Sequence, residues 1–184
     1  MLGGGLVPGS VTLVAGEPGI GKSTLLLQVL ARWASPSLNV VYVTGEESLE
    51  QVSLRAQRLG VGEAPVLFLA ETTVERICAA VDKHHPGVIV IDSIQTMSSD
   101  ELESTPGTVT QVRESAAVLM RYAKQRGCAV LLVGHVTKEG AIAGPRLLEH
   151  MVDTVISFEA DGNYQYRMLR TLKNRYGPSG ELAL

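Results

Sequence analysis

The sequence predicts an α/β fold: a mostly parallel central sheet with helices on both faces, extended near the C-terminus by an antiparallel hairpin. Three observations predict it. Short apolar runs at residues 11–15, 40–43, 66–69, 88–91 and 129–133 are nearly continuous in Val, Ile and Leu, as expected of strands buried on both faces. Between them lie longer segments, residues 22–33, 49–59, 74–82 and 109–126, with apolar residues at helical spacing. A β-α-β-α alternation calls for crossover connections and therefore parallel strands. From residue 152 the pattern turns strand-like, over 152–159 and 165–173, around a turn at Asp161-Gly162-Asn163.

Composition bounds the reading. At 184 residues and 45% hydrophobic content, the chain is long enough to bury a substantial core as one unit. No apolar run reaches the ~20 residues that cross a bilayer, and the N-terminus lacks a secretory signal, so a cytoplasmic protein without a membrane association is expected. The two cysteines, Cys78 and Cys128, are far apart and outside any CxxC pair, which supports neither a disulfide scaffold nor a zinc site. A formal net charge of -3 provides no global attraction for a polyanion. Any nucleic-acid binding must come from local basic loops or from several subunits together. Two loops, residues 93–108 and 135–145, are expected to be polar and uncovered, and loops of that length are usually functional. The ends, Met1-Leu2-Gly3-Gly4-Gly5 and Glu181-Leu182-Ala183-Leu184, read as cuts in a longer protein, the second inside a plausible strand.

The segment Gly16-Glu17-Pro18-Gly19-Ile20-Gly21-Lys22-Ser23-Thr24 matches G-x4-G-K-[ST], follows the first strand and opens onto a helix. Its glycines let the backbone curl around phosphates, so that successive N–H groups and the helix N-terminus face negative charge. Lys22 is expected to reach the β- and γ-phosphates, Ser23 to bind Mg2+, and Thr24 to hold the α-phosphate of ATP or ADP. At the end of the fourth strand, Asp92 fits the carboxylate that steadies Mg2+ through its water shell; a cap on the following turn is its structural alternative. The second strand ends in Glu46 and Glu47, one of which would be the base for the attacking water. Glu46 is favoured because Glu47 borders a helix start, where negative charge is also stabilising. His135, closing the fifth strand, is a candidate γ-phosphate sensor, or a plain strand-end residue.

Five segments together resemble the bacterial RadA (Sms) family: Gly45-Glu46-Glu47-Ser48, Asp92-Ser93-Ile94-Gln95-Thr96, residues 133–140, residues 144–153 and Lys173-Asn174-Arg175-Tyr176-Gly177. The last matches the family's KNRFG signature with Tyr for Phe, and the resemblance covers nearly the whole chain. It implies a RecA-like P-loop NTPase core that forms a hexameric ring on single-stranded or branched DNA and drives branch migration in recombination and repair. It also implies a strand order in which the His135 strand lies between the phosphate-loop strand and the Asp92 strand, with the Glu46 strand beyond. Lys173 and Arg175 would then project across a subunit interface toward the neighbour's ATP, where such a finger is worth ~10³ to 10⁵ in rate. The two open loops correspond to DNA-facing loops, with Lys138 and Arg146 as the phosphate-contact candidates; the first loop, acidic over residues 98–103, offers no cation. The family's four-cysteine zinc module and Lon-protease-like domain have no counterpart in this sequence. The paired glutamates also resemble KaiC-like signalling ATPases, which act on protein partners and predict no response to DNA.

Overall fold

The computed structural model describes residues 5–136, 145–160 and 166–184, and for Pro145 and Arg146 the backbone alone. All five apolar runs are strands: β1 (Val11–Gly16), β2 (Val40–Thr44), β3 (Val66–Ala70), β4 (Val88–Asp92) and β5 (Ala129–His135). The helical segments are α1 (Lys22–Trp33), α2 (Leu49–Arg58), α3 (Val74–Asp82) and α4 (Val109–Arg126). Then follow α5 (Pro145–Glu149), β6 (Thr154–Ala160), β7 (Arg167–Asn174) and β8 (Leu182–Ala183). The short α5 has no counterpart in the predicted pattern; it buries Leu148 in the core. The proposed turn at residues 161–163 lies outside the described residues.

The sheet runs β3-β2-β4-β5-β1-β6-β7-β8. It is parallel from β3 to β6, and the antiparallel part begins where β7 pairs with β6. Alternate residues of the same strands feed two separate cores. Val11, Leu13, Val41, Val43, Ile89 and Ile91 meet Ile77, Val112, Ala116 and Leu119 of α3 and α4. Val14, Val40, Tyr42, Val88 and Val90 meet Leu26, Leu27, Leu30 and Val52 of α1 and α2. That two-sided burial is why the strands carry no polar alternation.

Local chemistry sets the helix starts. Ser48 and Gln51 exchange hydrogen bonds of 3.3 and 2.8 Å in a capping box ahead of α2, and the Thr108 hydroxyl accepts from the Gln111 amide ahead of α4.

The loop at residues 93–108 is not uncovered. Ser93, Ile94, Met97 and Ser99 are buried, and Ile94–Thr96 forms a short 3-10 turn. The buried Gln111 carboxamide accepts from the Ser99 amide at 2.9 Å and donates to the carbonyls of Leu102 and Ser104 at 3.2 and 2.7 Å. Glu75 accepts from the Ser99 hydroxyl at 2.5 Å and the Asp100 amide at 3.2 Å. One helix glutamine thus satisfies backbone groups that would otherwise need water, which lets half of a polar-looking loop pack against the core.

Candidate active site

The parallel register brings four strand ends to the same edge of the sheet. Gly16 of β1 pairs with His135 of β5, and Thr44 of β2 pairs with Asp92 of β4. The strand order inferred from the family resemblance is the one observed, with β5 between β1 and β4 and β2 beyond. Immediately past these ends an open cleft of about 540 Å³ is lined by Pro18, Gly19, Ser23, Thr44, Glu46, Glu47, Arg55, Asp92, Gln95 and His135. Ligand sites in parallel sheets lie outside the carboxyl ends of the strands.

Along its first side runs the loop from Gly16 to Thr24. Gly21 stands ahead of α1 at φ 112°, a left-handed conformation that a side chain would strain, and the helix begins without a side-chain cap. Its first amides are therefore free of side-chain acceptors and suited to an anion. Glu17, Pro18 and Gly19 are exposed, whereas Ile20, Ser23 and Thr24 are half-buried. Lys22 is only 3% exposed, and its ammonium donates to the carbonyls of Gly16 and Glu17 at 2.8 Å each. Burial lowers its pKa to about 8, against the opposing pull of the Asp92 and Glu46 carboxylates.

Facing the loop are the acids. Glu46 Oε1 accepts from the Ser93 hydroxyl at 2.6 Å and lies 3.2 Å from His135 Nε2. The Glu47 carboxylate is bound to Arg55 at 2.8 Å. Gln95 donates to the His135 carbonyl at 3.1 Å, fixing the strand end behind the imidazole. Behind them, Arg55 donates to the Tyr42 phenol at 3.0 Å, and the phenol donates to Asp92 Oδ2. Tyr42 is fully buried, and Asp92 is buried too. Gly45 makes this packing possible, since a Cβ there would collide with the Thr96 hydroxyl and stand 2.7 Å from Met97 Cε.

The donor set suits a hard cation and a polyphosphate. The cleft presents hydroxyl and carboxylate oxygens from Ser23, Asp92, Glu46 and Glu47 with no thiolate, the kind of set that Mg2+ takes. Buried Lys22 beside the free helix end supplies the positive face for phosphate.

Four residues of this cluster escape sequence reasoning: Tyr42, Arg55, Ser93 and Gln95. Tyr42 carried a signal, the one aromatic side chain among the valines of β2. Arg55 carried a weaker one, a cation beside Val52 and Ala56 on the buried stripe of α2. Arg167, at the start of β7, is a fifth: its guanidinium nitrogen lies 3.1 Å from where a Cβ on Gly21 would stand, and it lines a recess beside Glu17, Pro18, Gly19 and Ile20.

Lys173 and Arg175 are not brought to this cleft. Lys173 pairs with Val155, three residues short of the Phe158 that aligns with Gly16, so it sits well down the sheet from the phosphate loop. Nor do they project freely. The Lys173 ammonium donates to the Glu149 and Val152 carbonyls at 2.7 Å each, and Arg175 donates to Asp153 Oδ1 at 3.1 Å. Asp153, 3% exposed, accepts from the Val11 amide through its other oxygen at 2.9 Å. Lys138 lies outside the described residues, as does the side chain of Arg146. Among the described residues, no group of histidine, cysteine or acidic side chains forms a metal cluster, and no helix is long and apolar enough to cross a membrane.

Fold and cleft together define a RecA-like P-loop ATPase core. The family model for the AAA domain matches residues 1–141, and the chain belongs to that family. Its relatives include the DNA repair protein RadA of Pseudomonas aeruginosa, 57% identical over the whole of this chain and 40% of that protein. RadA of Bacillus subtilis is 52% identical over the same shares. The chain therefore spans about 40% of the length of these relatives. Among solved structures, the ATPase domain of another protein superposes with a TM-score of 0.80, covering 96% of this chain and 81% of that one at 15% identity. That likeness speaks for the fold.

Proposed function

We propose that the chain is the ATP-hydrolysing core of a DNA-repair motor, working at subunit interfaces of a ring that moves on single-stranded or branched DNA. One observation carries the reading: four strand ends bring the phosphate loop, Asp92, Glu46 and His135 around a single cleft. In it, the loop amides and Lys22 hold the triphosphate, and Thr24 takes its α-phosphate. Ser23 and Asp92 would hold Mg2+, which neutralises charge on the β- and γ-phosphate oxygens. Glu46 orients water for in-line attack on the γ-phosphate and draws off its proton, since Glu47 is tied to Arg55 whereas Glu46 faces the cleft beside His135. His135, hydrogen-bonded to that base, registers whether a γ-phosphate is present and relays it to residues 136–144.

Lys173 and Arg175 cannot serve their own cleft from down the sheet, so their contribution goes to a neighbour's nucleotide, as the RadA-type signature suggests. Their bonds to the Glu149 and Val152 carbonyls and to Asp153 have to open, or be exchanged, when a ring forms. Lys138 and Arg146 contact DNA phosphates.

The test is ATP hydrolysis with and without single-stranded DNA, in the isolated chain and in the longer protein. Stimulation by DNA is expected in the assembled form; hydrolysis indifferent to DNA would move the assignment to an ATPase acting on protein partners. Lys173→Ala is expected to lower turnover in the ring while leaving the chain's own ATP affinity nearly intact. Loss of ATP binding equal to that of Lys22→Ala would refute the role in trans.

A further inference from the structure

We infer that Tyr42 and Arg55 act as a positioning pair: they fix the Asp92 carboxylate for the magnesium shell and hold Glu47 away from the water that Glu46 activates. The inference rests on the nucleotide reading of the cleft and assigns work to two residues that no sequence motif singles out. The geometry is specific. The Tyr42 phenol donates to Asp92 Oδ2 and accepts from Arg55 at 3.0 Å, and the same Arg55 nitrogen reaches Glu47 at 2.8 Å. The guanidinium carbon also stands 5.8 Å from the Tyr42 ring centroid, a cation–π distance that restricts the side chain further. One buried hydroxyl therefore joins Asp92 to Arg55.

The chemistry gives the pair direction. A carboxylate has two oxygens, and one held by a fixed donor leaves the other oriented outward. The Tyr42 phenol has one proton and aims it at Asp92, so it is the donor of that bond. One terminal nitrogen of the Arg55 guanidinium serves the phenol oxygen and Glu47 together. The Arg55 side chain is 13% exposed and that of Glu47 36%, so the pair is shielded on its arginine side. Glu47 is thereby engaged as a structural anion, which leaves Glu46, beside Ser93 and His135, as the acid of the pair without an arginine partner.

The experiment measures affinity for a non-hydrolysable ATP analogue by calorimetry, once with magnesium and once with EDTA, in wild type, Tyr42→Phe and Arg55→Met. Both variants are expected to lose ~10-fold or more of the gain that magnesium brings, the range seen when partners of metal ligands are removed. Affinity in EDTA should stay within about twofold, since the phosphate loop is untouched, and the double variant should lose little more than either single one because the residues act as a unit. A full magnesium gain in folded variants overturns the proposal, as does an equal loss in EDTA, which would mark a general structural role. Should Tyr42→Phe fail to fold, Arg55→Met, altered at the cleft rim, decides alone. If wild type itself gains nothing from magnesium, it is the nucleotide reading that falls.

Discussion

The two edges of one sheet treat charge in opposite ways. At the carboxyl edge, Ser23, Asp92, Glu46 and His135 surround open space, and the helix beside them starts without a side-chain cap. At the far edge, Lys173, Arg175 and Asp153 are closed on one another and on nearby backbone, with Asp153 bridging Arg175 and the first amide of β1. The first arrangement leaves donors and acceptors for a ligand to complete. The second is already complete, so it stabilises the fold of the single chain and can reach a neighbour only by giving up bonds it has. In the proposed ring, one edge would receive a nucleotide and the other would approach the nucleotide next door.

The contrast can be broken most severely at the open edge. Lys22→Ala is expected to lower ATP turnover by ~10³ or more, because it removes the buried cation that meets charge developing on the phosphates; steady-state hydrolysis checks it. Next in size, Glu46→Gln should cut the catalytic rate ~10²-fold or more with nucleotide affinity kept, as expected for loss of a base. Glu47→Gln should cost under about tenfold, because its carboxylate serves Arg55 rather than water. If the two glutamine variants were equal, or their order reversed, the assignment of the base would change hands.

At the closed edge the expected effect is on stability. Asp153→Ala strips two partners from a buried site and leaves the Val11 amide unsatisfied, a loss of about 1–3 kcal/mol that urea denaturation should detect as a lower midpoint at unchanged slope. ATP affinity in the isolated chain should not move.

The smallest effect is a proton. Burial lowers the Lys22 pKa to about 8, below the ordinary lysine value of 10.5, so before ligand arrives the ammonium is less favoured than it would be in water. Phosphate favours the ammonium and raises the pKa again, so binding near pH 9 must take up a fraction of a proton, and binding near pH 6.5 almost none. Calorimetry in buffers of different ionisation heat reads the difference directly, and Lys22→Met should abolish it.

Much of this was legible in one dimension. The strand runs were readable because burial on both faces forces continuous Val, Ile and Leu, and the phosphate loop because a backbone-lined anion site requires glycines at set spacing ahead of a lysine. Gly16 through Thr24 are contiguous, so local sequence contains the whole cradle. The loop at residues 93–108 misled because Gln111, which satisfies its carbonyls, sits on a helix beyond it. Tyr42, Arg55 and Asp92 were unreadable as a group for a similar reason, since they come from β2, α2 and β4 and meet only when parallel pairing sets Thr44 beside Asp92.

The sequence by itself determined the sheet class, the order of helices and strands apart from α5, the phosphate loop and the acids that end its strands, because each follows from spacing within a single element. The tertiary structure alone decided which glutamate is tied to Arg55, which hydroxyl holds Asp92, and that Lys173 and Arg175 are latched far from the cleft of their own chain. Those outcomes depend on lateral register and on which strands become neighbours, and residues tens of positions apart acquire a common environment only once the sheet has formed.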